Sequence, residues 1–332
     1  MKFNSNLLKK LVTVYGPSGN EGKIREVIEK EIKDYVDDIF VDDLGNLIAR
    51  KKGNGKRVMV AAHMDQIGLM ITHIDDKGFL RFTNVGGINP YTSLSQQVVF
   101  ENGIIGVISS EPMEDMAKLK LENLFIDIGV KSKEEAEKLV NIGDICVYRS
   151  EYGENDNVVF SKCLDDRVGC FVAIEAIKQL KDSNNDLYFV FTVQEEVGLR
   201  GAKTSAYRIE PEIGIAIDVT GSGDTPKAKP FAVGLGKGTA IKVKDNSVLT
   251  HPKLRQFMVE VAKENNIPYQ MEVLEFGGTD SGAIHLTKEG VPSGVISIPT
   301  RYIHSTVEMS SKEDIINSIK LLVKILERDI EI

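Results

Sequence analysis

The stretch that decides the fold is Leu187-Tyr-Phe-Val-Phe-Thr-Val193, followed directly by Gln194-Glu195-Glu196-Val197-Gly198. Aromatic, aliphatic and β-branched residues without a charge predict a strand that is buried on both faces, as in the centre of an α/β sheet. Two adjacent carboxylates then follow at its carboxyl end. On their own they are more often a solvated pair, because burying two neighbouring negative charges is costly unless cations compensate them.

Three further strand-like runs of the chain end in residues of the kind that bind metals. The runs and the residues that follow them are 58–62 with His63 and Asp65, 213–217 with Asp218, and 294–298 with His304. In an open α/β sheet the ligand site lies outside the carboxyl ends of the strands. Several such residues at one edge of the sheet therefore predict a functional site there.

The remaining patterns predict helices around this sheet and one β-rich insertion. Between residues 68 and 158, short strand-like runs are separated by glycine and Asp/Asn turns, which is typical of a small β-barrel or sandwich. Helical and strand patterns alternate before and after this region. We therefore predict a discontinuous α/β domain made of residues 1–67 and 159–332, with an inserted β-rich domain at residues 68–158.

Composition narrows the possible partners and the compartment. The 332 residues are 42% hydrophobic, which is enough for a sizeable core. The net charge of -8 argues against nucleic acid. No apolar stretch approaches the roughly 20 residues that span a bilayer, and the first residues lack the apolar core of a signal peptide. Three cysteines without CxxC spacing predict that the protein has no disulfides and is cytoplasmic. Together with the charge and the lack of long apolar stretches, this predicts no membrane and no nucleic-acid partner.

The residues that follow the predicted strand at 58–62 can form one side of a metal site. His63 and Asp65 are two positions apart at a strand end, so their side chains point the same way. One can bind a metal while the other is either a second ligand or a support for the imidazole. Asp165 and Asp166 begin a predicted helix, where acidic residues are ordinary partners of the helix dipole. A carboxylate there can also bridge two cations, as in dinuclear hydrolases.

The other strand ends supply the remaining candidates. Glu195 and Glu196 can divide the work, with one binding a metal and the other taking a proton from an activated water. Asp218 and His304 complete two sets of nitrogen and oxygen ligands. Mixed histidine and carboxylate ligation without cysteine fits Zn²⁺, Co²⁺ or Mn²⁺. Each signal is weak or moderate by itself, and their combination is strong.

The combination also resembles a known family. The motifs are His63-x-Asp65, Leu164-Asp165-Asp166-Arg167, Glu195-Glu196-Val197-Gly198, Asp218, Gly277-Gly278-Thr279-Asp280 and Arg301-Tyr302-Ile303-His304-Ser305. In this order they look like the tetrahedral metallo-aminopeptidases, some of which have been labelled glutamyl aminopeptidases or endoglucanases. The resemblance covers essentially the whole chain. It implies a mixed-sheet α/β/α catalytic domain of the zinc-exopeptidase kind, and an inserted domain that carries the dimer contacts.

The resemblance implies a ligand set for two divalent ions per subunit, Zn²⁺ or Co²⁺, with Mn²⁺ possible. Asp165 would bridge the two ions. Glu196 and His304 would complete one site, and His63 and Asp218 would complete the other.

The resemblance also implies the reaction and the partners. Glu195 would act as general base and acid, Asp65 would orient His63, and the peptide bond between Asp165 and Asp166 would be cis. The enzyme would remove N-terminal residues from short peptides. It would assemble as a homo-oligomer of dimers, up to a dodecamer.

Two segments of the insertion depart from the family pattern. Family members usually carry a tryptophan after the Gly-Gly pair, whereas this chain reads Gly86-Gly87-Ile88 and contains no tryptophan. A usual Pro-Pro-His stretch is replaced by Ser110-Glu111-Pro112. Because the insertion carries dimer contacts in the family, these changes leave the catalytic residues intact and put the form of the assembly in question.

Two other functions compete with the aminopeptidase interpretation. A glycoside hydrolase could use Glu195 and another carboxylate, but its chemistry needs neither His63 nor His304. A non-catalytic assembly protein could share the fold, since fold does not fix function, but then the retained ligand set has no purpose. The preferred N-terminal residue, the physiological metal and the choice between dimer and dodecamer stay open.

Overall fold

A large mixed β-sheet with helices on both faces forms the centre of the protein, in a computed structural model that describes residues 3–332. Met1 and Lys2, the first residues of the predicted 1–67 segment and of the predicted leaderless N-terminus, lie outside the described residues. None of the helices in the described range combines the length and apolarity that crossing a bilayer requires.

The strands, in chain order, are β1 (Asp38–Val41), β2 (Leu47–Lys51), β3 (Arg57–His63), β4 (Gly68–Ile74), β5 (Leu80–Val85), β6 (Gln97–Phe100), β7 (Ile105–Ser110), β8 (Leu124–Asp127), β9 (Ile145–Tyr148), β10 (Gly153–Glu154), β11 (Val158–Ser161), β12 (Asp186–Thr192), β13 (Ile213–Thr220), β14 (Thr239–Lys244), β15 (Tyr269–Val273), β16 (Ser293–Arg301) and β17 (Glu308–Ser311). The α-helices are α1 (Ser5–Thr13), α2 (Gly22–Ile32), α3 (Pro90–Ser93), α4 (Lys133–Glu137), α5 (Leu164–Gln179), α6 (Arg200–Ile209), α7 (Pro252–Glu264), α8 (Ser281–Ile284) and α9 (Lys312–Leu326).

The centre of the large sheet consists of parallel strands that end at one edge. The spatial order is β1-β2-β12-β3-β13-β16-β17-β11-β10, with β14 paired to β16 and to β15. Strand β3 runs parallel to β12 and β13, and β13 runs parallel to β16. Buried β3 residues alternate between two apolar layers. Val58 and Val60 pack with α5 and α9, whereas Met59 and Ala61 pack with α6 and α8. The predicted mixed-sheet α/β/α fold is confirmed.

The β-rich region forms a closed barrel of its own. Strands β4, β5, β8, β7, β6 and β9 pair in that order around the barrel. Their inward residues, among them Leu69, Leu80, Val98 and Ile126, form a separate buried apolar cluster. Of the two predicted forms, a barrel or a sandwich, the structure has the barrel. It connects directly to β3, so its β5–α3 loop can reach the edge where β3 ends.

Helix α8 is short and ends at Ile284, because the following residues form a turn in which Lys288 and Gly290 have φ values of 54° and 108°. Strand β14 was not predicted. It contains Lys242, a residue type that is seldom buried, and this lysine is 1% exposed because it pairs with Glu272 at 2.6 Å.

Candidate functional site

One carboxylate lies between two histidines at the centre of the candidate site. The Oδ1 atom of Asp165 is 2.9 Å from Nε2 of His63, and its Oδ2 atom is 3.2 Å from Nε2 of His304. The same nitrogen of His304 is 3.2 Å from Oε2 of Glu196. The two oxygens of Asp165 thus face different partners, which is the arrangement that a bridging carboxylate requires.

Each of these side chains is placed by the end of a regular element. His63 is the last residue of β3, Asp165 stands in the irregular first turn of α5, and His304 follows β16. The peptide bond between Asp165 and Asp166 is cis, as the resemblance implies. The turn after β16 puts His304 itself in the left-handed region, at a φ of 62°. Left-handed non-glycine residues are uncommon and tend to cluster at functional sites.

Asp65 supports the site from behind rather than facing it. It is fully buried, and its Oδ1 is 3.4 Å from Nδ1 of His63, which is long for a hydrogen bond. Its oxygens accept hydrogen bonds from the backbone N–H groups of Glu195 and Glu196 at 3.0 and 3.2 Å, and from the hydroxyl of Ser18 at 2.6 Å. Asp65 therefore links the end of β3 to the loop that carries both glutamates.

Glu195 and Asp218 face the same nitrogen of His63 as Asp165 does. The Oε2 atom of Glu195 is 3.9 Å from Nε2 of His63, and Oδ1 of Asp218 is 4.0 Å from it. Burial, together with the charge of Asp218, raises the pKa of Glu195 well above its usual range. Burial also raises the pKa of Asp218. A carboxyl group with a raised pKa is better suited to exchanging protons near neutral pH than an exposed one.

In the two histidines and Asp165, the charged forms are favoured instead. Burial opposes charge on His63, but the carboxylates of Glu195 and Asp165 raise its pKa well above the usual value. The pKa of His304 is raised to about 12, because Glu196 and Asp165 outweigh the effect of burial. The two imidazoles in turn hold the pKa of Asp165 below its usual range, although burial acts to raise it.

Three further buried acidic groups at the site, Asp166, Asp280 and Glu308, are not members of the predicted ligand set. Burial raises the pKa of Asp166 well above its usual value, and its Oδ2 has no hydrogen-bond partner. Asp280 is 2% exposed and accepts a hydrogen bond from Thr192. Glu308 is 2% exposed and contacts the backbone of two predicted ligands. No sequence periodicity marks Asp280 or Glu308, because Thr192 and Asp165, with which they form hydrogen bonds, are 88 and 143 residues away in the chain.

The residues fit divalent cations in donor type and in charge. Donor atoms of His63, Asp165 and Glu196 all lie within 4.8 Å of one another, and so do those of His63, Asp166 and Asp218. The donors are nitrogen and oxygen, as Zn²⁺, Co²⁺ and Mn²⁺ accept. Buried carboxyl groups outnumber the imidazoles here, and Oε1 of Glu196 lacks a hydrogen-bond partner. Bound cations would neutralise this charge.

The site opens into a cavity of about 750 Å³ at the carboxyl edge of the sheet. The predicted ligands and Glu195 form one wall. Val219, Leu274, Phe276 and Ile303 give the other walls apolar surface. The Gly277-Gly278 loop and the Arg301-Tyr302 segment also line the cavity. A concave, partly apolar cavity beside a cluster of polar groups suits a small organic or peptide ligand.

Comparison with known proteins gives a consistent result. The model of the family described as M42 glutamyl aminopeptidase matches residues 45–321. The chain is 58% identical to a putative aminopeptidase of Acetivibrio thermocellus over 320 residues, which is 96% of this chain and 97% of that protein.

Solved structures agree in fold over the whole chain. An aminopeptidase from the archaeon Desulfurococcus kamchatkensis is 43% identical with a TM-score of 0.94, over 97% of this chain and 94% of that one. The TET1 peptidase of Pyrococcus horikoshii, which can assemble into a tetrahedron or a large octahedral shell, is 38% identical with a TM-score of 0.86. That match covers 97% of this chain and 98% of the archaeal one.

Proposed function

The chain belongs to the M42 family of aminopeptidases, and we propose that it removes N-terminal residues from short peptides with the help of two divalent metal ions. It is a hydrolase of the aminopeptidase class. Both rivals considered from the sequence, a glycoside hydrolase and a non-catalytic assembly protein, are disfavoured by this family membership. The number and identity of the ions and the roles of the individual residues are part of the proposal.

The proposed ligand set is the one that the family resemblance implies, and the geometry around Asp165 supports it. Asp165 would bridge the two ions, Glu196 and His304 would complete one site, and His63 and Asp218 would complete the other. Zn²⁺ or Co²⁺ suits these donors, and Mn²⁺ is acceptable. The observation that carries the proposal is the position of Asp165, whose oxygens lie 2.9 Å and 3.2 Å from the two imidazoles.

When bound, the ions would supply Lewis-acid stabilisation of the scissile carbonyl and lower the pKa of the attacking water. Glu195 would take the proton from that water at its carboxylate and deliver it to the leaving amine. Burial and the charge of Asp218 raise its pKa, which makes the carboxylate a stronger base for the first of these transfers. Asp65 would hold Glu195 in place by accepting a hydrogen bond from the backbone N–H of Glu195.

The test is hydrolysis of a panel of aminoacyl-p-nitroanilides by metal-stripped protein, before and after addition of Zn²⁺, Co²⁺ or Mn²⁺. We expect activity to depend on the added metal. In the Glu195→Gln variant kcat should fall by about 10²–10⁴-fold while metal binding is retained, since the lost group transfers protons. Activity that survives metal removal, or a Glu195→Gln variant with full activity, would contradict the proposal.

We also propose a homo-oligomer, built from dimers through the 68–158 domain and extending to a dodecamer. The similarity to the P. horikoshii peptidase supports this. Leu249 and Leu286, which are 71% and 73% exposed, are further candidate contacts outside the barrel. Size-exclusion chromatography with light-scattering detection at micromolar concentration should show a species of twelve subunits, whereas a monomer would contradict the proposal.

We propose a cytoplasmic location for the enzyme. Cys146, Cys163 and Cys170 are free thiols and all three are buried, as is usual in a reducing compartment. Cell fractionation with antibody detection would test this.

A further inference from the structure

A buried glutamate connects two of the proposed metal ligands through their backbones. Glu308 begins strand β17 and is 2% exposed. Its Oε2 accepts a hydrogen bond from the backbone N–H of Asp165 at 3.0 Å, and its Oε1 accepts one from the backbone N–H of His304 at 2.8 Å. One carboxylate thus holds both the proposed bridging ligand and one of the terminal ligands.

Both backbone groups need this acceptor. The N–H of Asp165 belongs to the first turn of α5, where helical N–H groups have no partner within the helix. His304 stands in a turn with left-handed φ, a conformation that persists only where the surroundings determine it. Because Glu308 accepts from both N–H groups, it ties the start of α5 to the turn after β16.

The anchor itself stands on a rigid element. Strand β17 pairs with β11 on one side and with β16 on the other. Glu308 is directly opposite Ser161 in β11, and Ser161 precedes Asp165 by four residues in the chain. Sites supported by strands hold their geometry better than sites supported by loops.

We propose that Glu308 is a positioning residue that fixes the distance and orientation between Asp165 and His304. The inference rests on the proposed metal site, because it assigns Glu308 to the support of that site and not to the reaction itself. Glu308 would touch neither substrate nor metal. It would act by keeping the carboxylate of Asp165 and the imidazole of His304 ready to share one ion.

The side-chain chemistry provides a selective test. Glu308→Gln keeps the shape but leaves one oxygen acceptor, so one of the two N–H groups loses its partner. Glu308→Asp keeps the charge but is one methylene shorter, so it cannot reach both groups. Asp314→Asn is a matched control. Asp314 is a buried carboxylate that likewise accepts two backbone N–H groups, from Gly236 and Gly238 at 2.7 Å each, but these carry no proposed ligand.

The experiment measures Zn²⁺ and Co²⁺ affinity by competition with a chromophoric chelator, and the visible spectrum of the Co²⁺-loaded protein. We expect Glu308→Gln and Glu308→Asp to weaken the binding of one ion by about 10–100-fold, the usual effect of losing a support behind a metal ligand. Their Co²⁺ spectra should differ from that of the wild type. Asp314→Asn should lose stability to unfolding but keep the wild-type affinity and spectrum.

The outcomes separate this inference from the proposed function. If the wild type binds neither ion, the proposed metal site is wrong. If the wild type binds two ions and both Glu308 variants match it in affinity and spectrum, the role of Glu308 is refuted. Should Glu308→Gln fail to fold, Glu308→Asp gives the same comparison. Equal loss of affinity in Asp314→Asn would show a general effect of instability and would also refute the inference.

Discussion

Replacing Gly87 by alanine perturbs a proposed ligand without altering its chemistry. Gly87 lies in the loop after β5, outside the left-handed region, so alanine adds no backbone strain there. The added Cβ would lie 2.6 Å from Nδ1 and 2.9 Å from Cε1 of His304. Non-bonded atoms pack at roughly 3.5–4.0 Å, so the imidazole must move by about 1 Å.

The consequence depends on whether the imidazole is held. The side chain of His304 is 32% exposed, so it can turn aside in the metal-free protein. It cannot do so while Nε2 is a metal ligand. We therefore expect the free energy of unfolding of the metal-free variant to lie within about 1 kcal/mol of the wild-type value, as for most substitutions outside a core. Metal affinity should fall by about 10–100-fold, and kcat by up to about 100-fold.

The assay combines urea unfolding of the metal-free protein, chelator competition, and p-nitroanilide hydrolysis at saturating metal. Gly22→Ala is a suitable control, because its added methyl meets only a guanidinium nitrogen of Arg25 at 3.9 Å. A Gly87→Ala variant with wild-type metal affinity and kcat would refute the assignment of His304 as a ligand in this orientation. If the free energy of unfolding of the metal-free protein falls by as much as the free energy of metal binding, the added methyl acts on folding and not on the position of His304.

Two further predictions follow from the buried charges. Lys242 is 1% exposed and lies 2.6 Å from Glu272 and 3.4 Å from Asp245, so Lys242→Met leaves two buried carboxylates without a cation. We expect a loss of about 3–5 kcal/mol in the free energy of unfolding by urea, and a loss below about 1 kcal/mol would contradict the pairing. Neighbouring carboxylates raise the pKa of His63 and His304 in the metal-free protein, so both must release a proton to bind a cation. Apparent metal affinity should therefore increase from pH 6 to pH 8, and an affinity independent of pH over that range would be inconsistent with histidine ligation.

The sequence allowed the fold and the edge of the site to be predicted because both depend on local patterns. Strand β12 has an uncharged run that can only be buried, and its carboxylates come directly afterwards. His63 and Asp218 likewise stand at or near the ends of strands that run parallel to it. Parallel strands place these residues at one edge whatever the details of packing. Their grouping was thus predictable before any distance was known.

The parts that were missed depend on contacts between distant residues. Strand β14 was not predicted, because Lys242 is unfavourable in a core until Glu272, 30 residues later, comes within 2.6 Å. Glu308 was given no role, because it acts on backbone N–H groups, one of them 143 residues away. Neither partner leaves a periodic pattern in the sequence. Tertiary hydrogen bonds and ion pairs of this kind require coordinates.

The barrel has a closer relation to the site than its sequence indicated. From the motifs, the changes around Gly86-Gly87-Ile88 concern assembly and leave catalysis alone. In the structure this loop borders the proposed ligands, since a methyl on Gly87 would meet His304 and one on Gly86 would lie 3.1 Å from Glu196. The domain proposed to make the dimer contacts thus also limits the space around two ligands. A movement of the barrel caused by assembly would change that space. Activity per subunit should therefore depend on the oligomeric state. Dilution that separates the subunits without unfolding them would reveal this dependence.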